Sequence, residues 1–359
     1  MKLGQVSDLI KSDGPYLTAY LDVGRGTALA AHELEVRWQA AGVELLSQGA
    51  PHDLVDRVGE RVVEPTRQHG PVGRLVAAAG DHVLLEETIA TTPCAEVLSW
   101  APLPDLTSWL TDAAQCRSVL LVLADRVGAD LELHDVWPGP PARTWSVDGE
   151  EPHLTHVAAG DWAHKEFQRR SDEIWRRNAR LVAEQVDRQV RAGVDLVAVA
   201  GDVRACSEIH AAVAELARER LVTLDHGSRA PGSSREALET ALHHALHERV
   251  FAEQLALVRE VQQRTGRGEA VALGIGQVLD SLIRGQADQV LLAPEAAAGR
   301  TVRPSRHPGL PLPPSALAAD QLRADLAVVG AAAATDAEVL VTAPEVLPPD
   351  GVAALLRWP

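Results

Sequence analysis

Ala159-Gly160-Asp161-Trp162, followed by Phe167 and an Arg-rich run to Arg191, decides how this chain is read. The polar, turn-rich stretch 148–163 ends there, and helical periodicity takes over from about 164 to 191. At 1.5 Å per residue such a helix is about 40 Å long. Phe167, Ile174 and Leu181 recur at heptad spacing with Val182 and Val186 beside them, which predicts a buried face. Between His164 and Arg180, six cations (Lys165, Arg169, Arg170, Arg176, Arg177, Arg180) stand against three anions (Glu166, Asp172, Glu173). Lys165, Arg169, Arg176 and Arg180 fall near one side, where planar guanidinium forks suit phosphate. The competing reading is a solvated face with intrahelical pairs such as Arg169–Glu173 and Arg180–Glu184.

Upstream, 16–22 reads as a strand, 29–46 and 52–68 as helices, and 74–79 with 82–89 as a hairpin turning on Gly80-Asp81. Pro93, Pro102 and Pro104 punctuate a connection. A second set of strands is expected at 118–124, 130–136 and 143–147. Downstream, 196–200 and 221–224 read as strands, with helices from 203 and over 234–263. Ser234 before Glu236 suits a helix N-cap. The last segment has a helix over 270–284 capped by Gly285, a strand at 289–293, a loop at 310–314, a helix over 321–334 and a strand at 339–342. Alternating helices and strands predict an α/β protein in three domains, 1–112, 116–263 and 265–359.

The 359 residues are 46% hydrophobic but only 3% aromatic, so Leu, Val and Ala must build the core. A net charge of −16 excludes a generic nucleic-acid coat but permits a local basic element. Cys94, Cys116 and Cys206 are odd in number, far apart and without a CxxC pair, against both a disulfide scaffold and structural zinc. No apolar h-region opens the chain and no apolar run reaches membrane-spanning length, so a cytoplasmic protein without membrane contact is expected. His153, His156 and His164 lack a fourth metal ligand at suitable spacing. His243, His244 and His247 read as a polar helix face, because His244 stands where a zincin needs Glu. Gly24-Arg25-Gly26 and Gly274-Ile275-Gly276 are fragments without the rest of a dinucleotide motif. Neither a metal nor a cofactor is expected.

Three stretches resemble one family in the right order. Gly160-Asp161-Trp162 with Phe167 and Arg169-Arg170 resembles the Gly-Gly-Gln loop and following helix of archaeal and eukaryotic release factor 1. Leu279-Asp280-Ser281-Leu282-Ile283-Arg284-Gly285-Gln286-Ala287-Asp288-Gln289-Val290-Leu291-Leu292 is similar to the helix–Gly–strand unit of that factor's third domain. Asp350-Gly351-Val352 through Leu355-Leu356-Arg357-Trp358 resembles its ending. Residues 1–112 carry no Asn-Ile-Lys-Ser codon-reading segment, and the whole chain resembles the bacterial branch, especially actinobacterial relatives of the ribosome hibernation factor Balon.

The resemblance implies a protein of the ribosomal A site and peptidyl-transferase region, partnered by elongation factor Tu and touching rRNA rather than DNA. It implies RNA contact by Gly160, Asp161, Trp162, Lys165, Arg169, Arg170, Arg176 and Arg180, and GTPase contact around Leu279, Leu282, Ile283, Leu310 and Leu312. Trp162 stands at the family's glutamine, and an indole donates one hydrogen bond and accepts none. Asp161 replaces a glycine and brings an anion where an oxyanion must develop. Peptide release is therefore not expected and no catalytic residue is assigned. Trp162 can instead stack on a base, or fold back under the loop as a hydrophobic staple. The alternative is a peptidyl-tRNA hydrolase of ribosome rescue, which would have to use His164 or Gln168.

Overall fold

Tyr16 to Asp22 is almost wholly buried and forms β1 (Tyr16–Asp22), a central strand of the first sheet. The computed structural model describes residues 4–24, 28–66, 71–150, 161–229, 234–344 and 347–358. β1 is preceded by α1 (Gly4–Lys11) and followed by α2 (Ala28–Ser47) and α3 (His52–Val63). The hairpin read from Gly80-Asp81 is β2 (Gly73–Ala79) and β3 (His82–Ile89), with Ala79 opposite His82 and Gly80 at φ 60°. β4 (Val97–Ala101) lies on the other side of β1, giving the antiparallel order β3-β2-β1-β4, and α4 (Thr107–Gln115) follows. The sequence showed only a connection where β4 lies, because all five of its residues are half-buried and no alternation marks it. Leu34, Trp38 and Leu45 of α2 and Leu54, Val55 and Val58 of α3 cover one face of this sheet.

The middle of the chain builds a mixed sheet. It contains β5 (Arg117–Ala124), β6 (Gly128–Trp137), β7 (Arg143–Asp148), β8 (Leu196–Gly201) and β9 (Leu221–Thr223), in the order β7-β6-β5-β8-β9. β6 runs antiparallel to both β5 and β7, while β8 is parallel to both β5 and β9. α5 (Asp161–Arg191), α6 (Val203–Ala212) and α7 (Glu215–Arg220) lie between the later strands, and α8 (Arg235–Arg267) follows them. β5 alternates as a strand covered on both faces must. Leu120 and Val122 pack with Val182, Val186 and Ile209 of α5 and α6, while Val119 and Leu121 pack with Leu238, Leu242 and Leu246 of α8. Helices on both faces make this an α/β sandwich, the expected fold class.

The last segment contributes β10 (Val271–Leu273), α9 (Gly274–Ile283), β11 (Ala287–Leu292), α10 (Pro294–Ala298), β12 (Thr301–Val302), α11 (Pro314–Leu317), β13 (Leu322–Arg323), α12 (Ala324–Ala334), β14 (Glu338–Val341) and β15 (Val352–Leu356). Its main sheet has the order β10-β15-β11-β14, and β12 pairs with β13. The helix expected over 270–284 begins only at Gly274. Val271, Ala272 and Leu273 instead pair with Leu355, Ala354 and Ala353. Gly274 then turns at φ 80°, and the Asp350 carboxylate accepts the Ile275 N–H at 2.7 Å.

Two compact units result, 1–115 with 252–359 and, separately, 116–251. Within the first, the N-terminal and C-terminal sheets belong to one body. Arg323 there bonds Asp325, which is fully buried, at 2.6 Å and Asp105 at 2.5 Å, and the Asp13 carboxylate accepts the Ser315 N–H at 2.9 Å. Among the described residues no helix is long and apolar enough to cross a membrane.

Candidate nucleic-acid interface on the long helix

α5 starts at Asp161, ahead of the predicted 164, so Asp161 and Trp162 belong to its first turn rather than to a loop. Gly160 lies outside the described residues, as do the side chains of Asp161, Trp162, Lys165 and Arg170.

The buried face of α5 is rotated from the expected heptad line. Ser171, Asn178, Ala179, Val182, Ala183, Val186 and Val190 point inward, Ile174 is half-buried, and Leu181 is 39% exposed. The outward face carries Arg169, Glu173, Arg176, Arg177, Arg180 and Glu184, so every described cation of the predicted set reaches solvent. The intrahelical pairs anticipated there are not formed among the described residues. Arg176 instead pairs across to Glu208 of α6 at 3.6 Å, and Arg177 to Glu150 at 3.1 Å. Arg169 and Arg180 have no ion pair among the described residues.

Sequence reasoning missed the group beside this face. The guanidiniums of Arg126 and Arg204 lie over the Trp175 indole, 4.7 and 4.8 Å from its centroid, cation–π contacts favourable even at half-exposed sites. Arg126 Nε bonds Asp202 at 3.1 Å, and Arg204 bonds Asp172 at 2.6 Å. Asp202 also caps α6 by accepting the N–H groups of Arg204 and Ala205 at 3.0 and 3.1 Å. Burial works against its charge, but those amides and Arg126 prevail and hold its carboxyl below the ordinary value. Arg126, Arg176 and Arg204 are thus balanced by Asp172, Asp202 and Glu208. The cationic surplus of the helix rests on the remaining arginines.

Beneath this lies a polar anchor. Asn178, 3% exposed, donates to the carbonyls of Arg126 and Glu150, both at 3.0 Å, and accepts the Glu150 N–H at 2.9 Å. Gly149 permits the approach, since a Cβ there would sit 2.1 Å from Asn178 Oδ1. Asparagine is a poor helix former, and its place midway along an otherwise inward-facing line was the available signal.

The residues expected to meet a GTPase are mostly interior. Leu279, Leu282, Leu310 and Leu312 are 0%, 0%, 2% and 8% exposed. They sit in the core because α9 and the 310–314 segment are packed layers rather than free surface, and only Ile283 is half-buried. Among the described residues no group of three His, Cys, Asp or Glu side chains could hold a metal.

Residues 118–267, which carry β5 to β9 and α5 to α8, match the family described as bacterial archaeo-eukaryotic release factor family 2. They form an α/β module. Through that segment the chain is similar to the bacterial branch of the archaeo-eukaryotic release factor 1 family. It is 26% identical over 364 residues to uncharacterized proteins of two Mycobacterium tuberculosis strains, CDC 1551 / Oshkosh and ATCC 25618 / H37Rv, covering 98% of this chain and 95% of each relative. Among solved structures, an archaeal translation termination factor matches 98% of this chain and 96% of its own at 13% identity and TM-score 0.26. Archaeoglobus fulgidus Pelota matches 80% of this chain and 84% of its own at 14% identity and TM-score 0.35. Structural likenesses this distant carry no argument about mechanism.

Proposed function

We propose that this protein is a ribosome-binding, release-factor-like translation factor that occupies the vacant A site without releasing peptide, as a hibernation or stress factor in the cytoplasm. The observation that carries the reading is the outward arginine face of α5, within the segment that matches the release-factor family. In this reading Arg169 and Arg180 take rRNA phosphates, joined by Lys165, Arg170 and Arg176. Exposed ion pairs such as Arg176–Glu208 are worth about 0–1 kcal/mol, so a phosphate can displace the carboxylate. Gly160 and Asp161 shape the tip, and Trp162 stacks on a base, a contact of about 1–3 kcal/mol. The net charge of −16 keeps binding to bulk RNA weak and confines contact to this helix.

Elongation factor Tu is the partner in this reading. With the leucines around it interior, the contact falls to Ile283 and exposed neighbours of α9. The test is co-sedimentation with ribosomes from nutrient-starved cells, followed by a cryo-EM map of the pelleted particles. Density for the chain in the A site is the expected result. A protein that stays in the supernatant ends the proposal.

A further inference from the structure

Two histidines that the ribosomal reading does not use face each other on α8. His243 Nε2 and His247 Nε2 are 3.0 Å apart, their ring centroids 4.5 Å apart and their planes at 74°. Four residues separate them, so they stand one turn apart on the same side of the helix. The turn that presents them is firmly seated. Leu242 and Leu246, their neighbours in the chain, are 0% and 3% exposed and pack with Leu238 against the middle sheet. Both imidazoles are themselves exposed, beside a cleft bordered by Trp137, Pro138, Glu239 and Thr240.

When each ring carries its proton on Nδ1, both Nε2 atoms are free to act as ligands, 3.0 Å apart. A cation with imidazole bonds of about 2.05 Å to both would subtend an N–metal–N angle of about 94°. That is the cis angle of tetragonal sites, which copper and nickel prefer, and falls short of the tetrahedral angle of structural zinc. Glu239, one turn before His243, is held by Arg235 at 2.7 Å, and His244 turns to Glu248 at 3.6 Å. The described residues supply no third ligand in the set.

We propose that His243 and His247 form an open two-imidazole chelate for a divalent late transition cation, nickel or copper. Its other coordination positions are left to water or an external ligand. The chelate is independent of ribosome binding.

Calorimetric titration of the full chain with Ni2+ alone tests it, repeated with Cu2+. One site of micromolar affinity is expected, weakened about tenfold or more both in His243→Ala and in His247→Ala and unchanged in His244→Ala. Far-UV circular dichroism of each variant verifies that α8 is intact. No heat at millimolar metal overturns the proposal, and so does undiminished affinity in either of the first two variants.

Discussion

Asn178 and Glu150 are joined through both polar groups of one side-chain amide, Oδ1 taking the Glu150 N–H at 2.9 Å and Nδ2 giving to its carbonyl at 3.0 Å. The pairing copies a strand ladder with a side chain in place of a backbone, and it fixes α5 to the end of β7. Truncation to Asn178→Ala strips three bonds from partly buried groups. A loss of about 2–3 kcal/mol is expected, at about 1–3 kcal/mol for a buried group left unsatisfied. Urea unfolding measures it, with Arg177→Ala as the comparison at under about 1 kcal/mol. Equal effects from the two would refute the anchor.

Gly149→Ala should disturb the same anchor from the other side. Its new Cβ would lie 2.1 Å from Asn178 Oδ1 and 2.6 Å from the Val127 carbonyl. A destabilisation of about 1–3 kcal/mol is expected from overpacking. In the Asn178→Ala background the penalty should shrink, because part of the clash is gone. Strict additivity in this double-mutant cycle would argue against the coupling.

Acid should weaken the middle sheet in a defined window. Contact with His134, ahead of the opposing effect of burial, and a 2.7 Å bond from Arg235 bring the Glu132 carboxyl down to about 2. A depressed carboxylate contributes stability that is fully present above its unfolded value of 4.5 and fades as pH falls towards about 2. Glu132→Gln should therefore be less stable at neutral pH and show a flatter stability profile between those limits. Parallel profiles for the two proteins would discard this assignment.

Reversing charge at Arg169, Arg176 and Arg180 to Glu should cut ribosome affinity by about tenfold to a thousandfold and flatten its dependence on salt. The three side chains are exposed, so the melting temperature should hardly move. Pelleting across a salt series reads both quantities. Unchanged binding by this well-folded variant would remove the helix from any RNA contact.

Labelled peptidyl-tRNA on stalled ribosomes should keep its peptide when the protein is added, since Trp162 offers no carboxamide. Scintillation counting of released peptide decides the matter. Release abolished by His164→Ala or Gln168→Ala would favour a hydrolase instead.

Much of the fold was legible in the sequence where a single cue was strong. β1, the hairpin about Gly80-Asp81 and the apolar run of β5 each carried their own turn signals or hydrophobic run. α5 was legible as a helix but not in its rotation, because Leu181 at a heptad position is out-competed for the interior by Asn178 and Ala179. β10 escaped because three residues have no period, and only pairing with β15 makes them a strand. Trp175 with Arg126 and Arg204 was invisible for another reason. Those arginines come from the β5–β6 turn and from α6, and adjacency across 49 and 29 residues leaves no local pattern.

The mooring of α5 through Asn178 carries no net charge. Ionic strength high enough to quench Arg176–Glu208 and every phosphate contact leaves those amide bonds in place. A salt titration on the intact protein therefore reports docking alone, uncontaminated by loosening of the helix that does the docking.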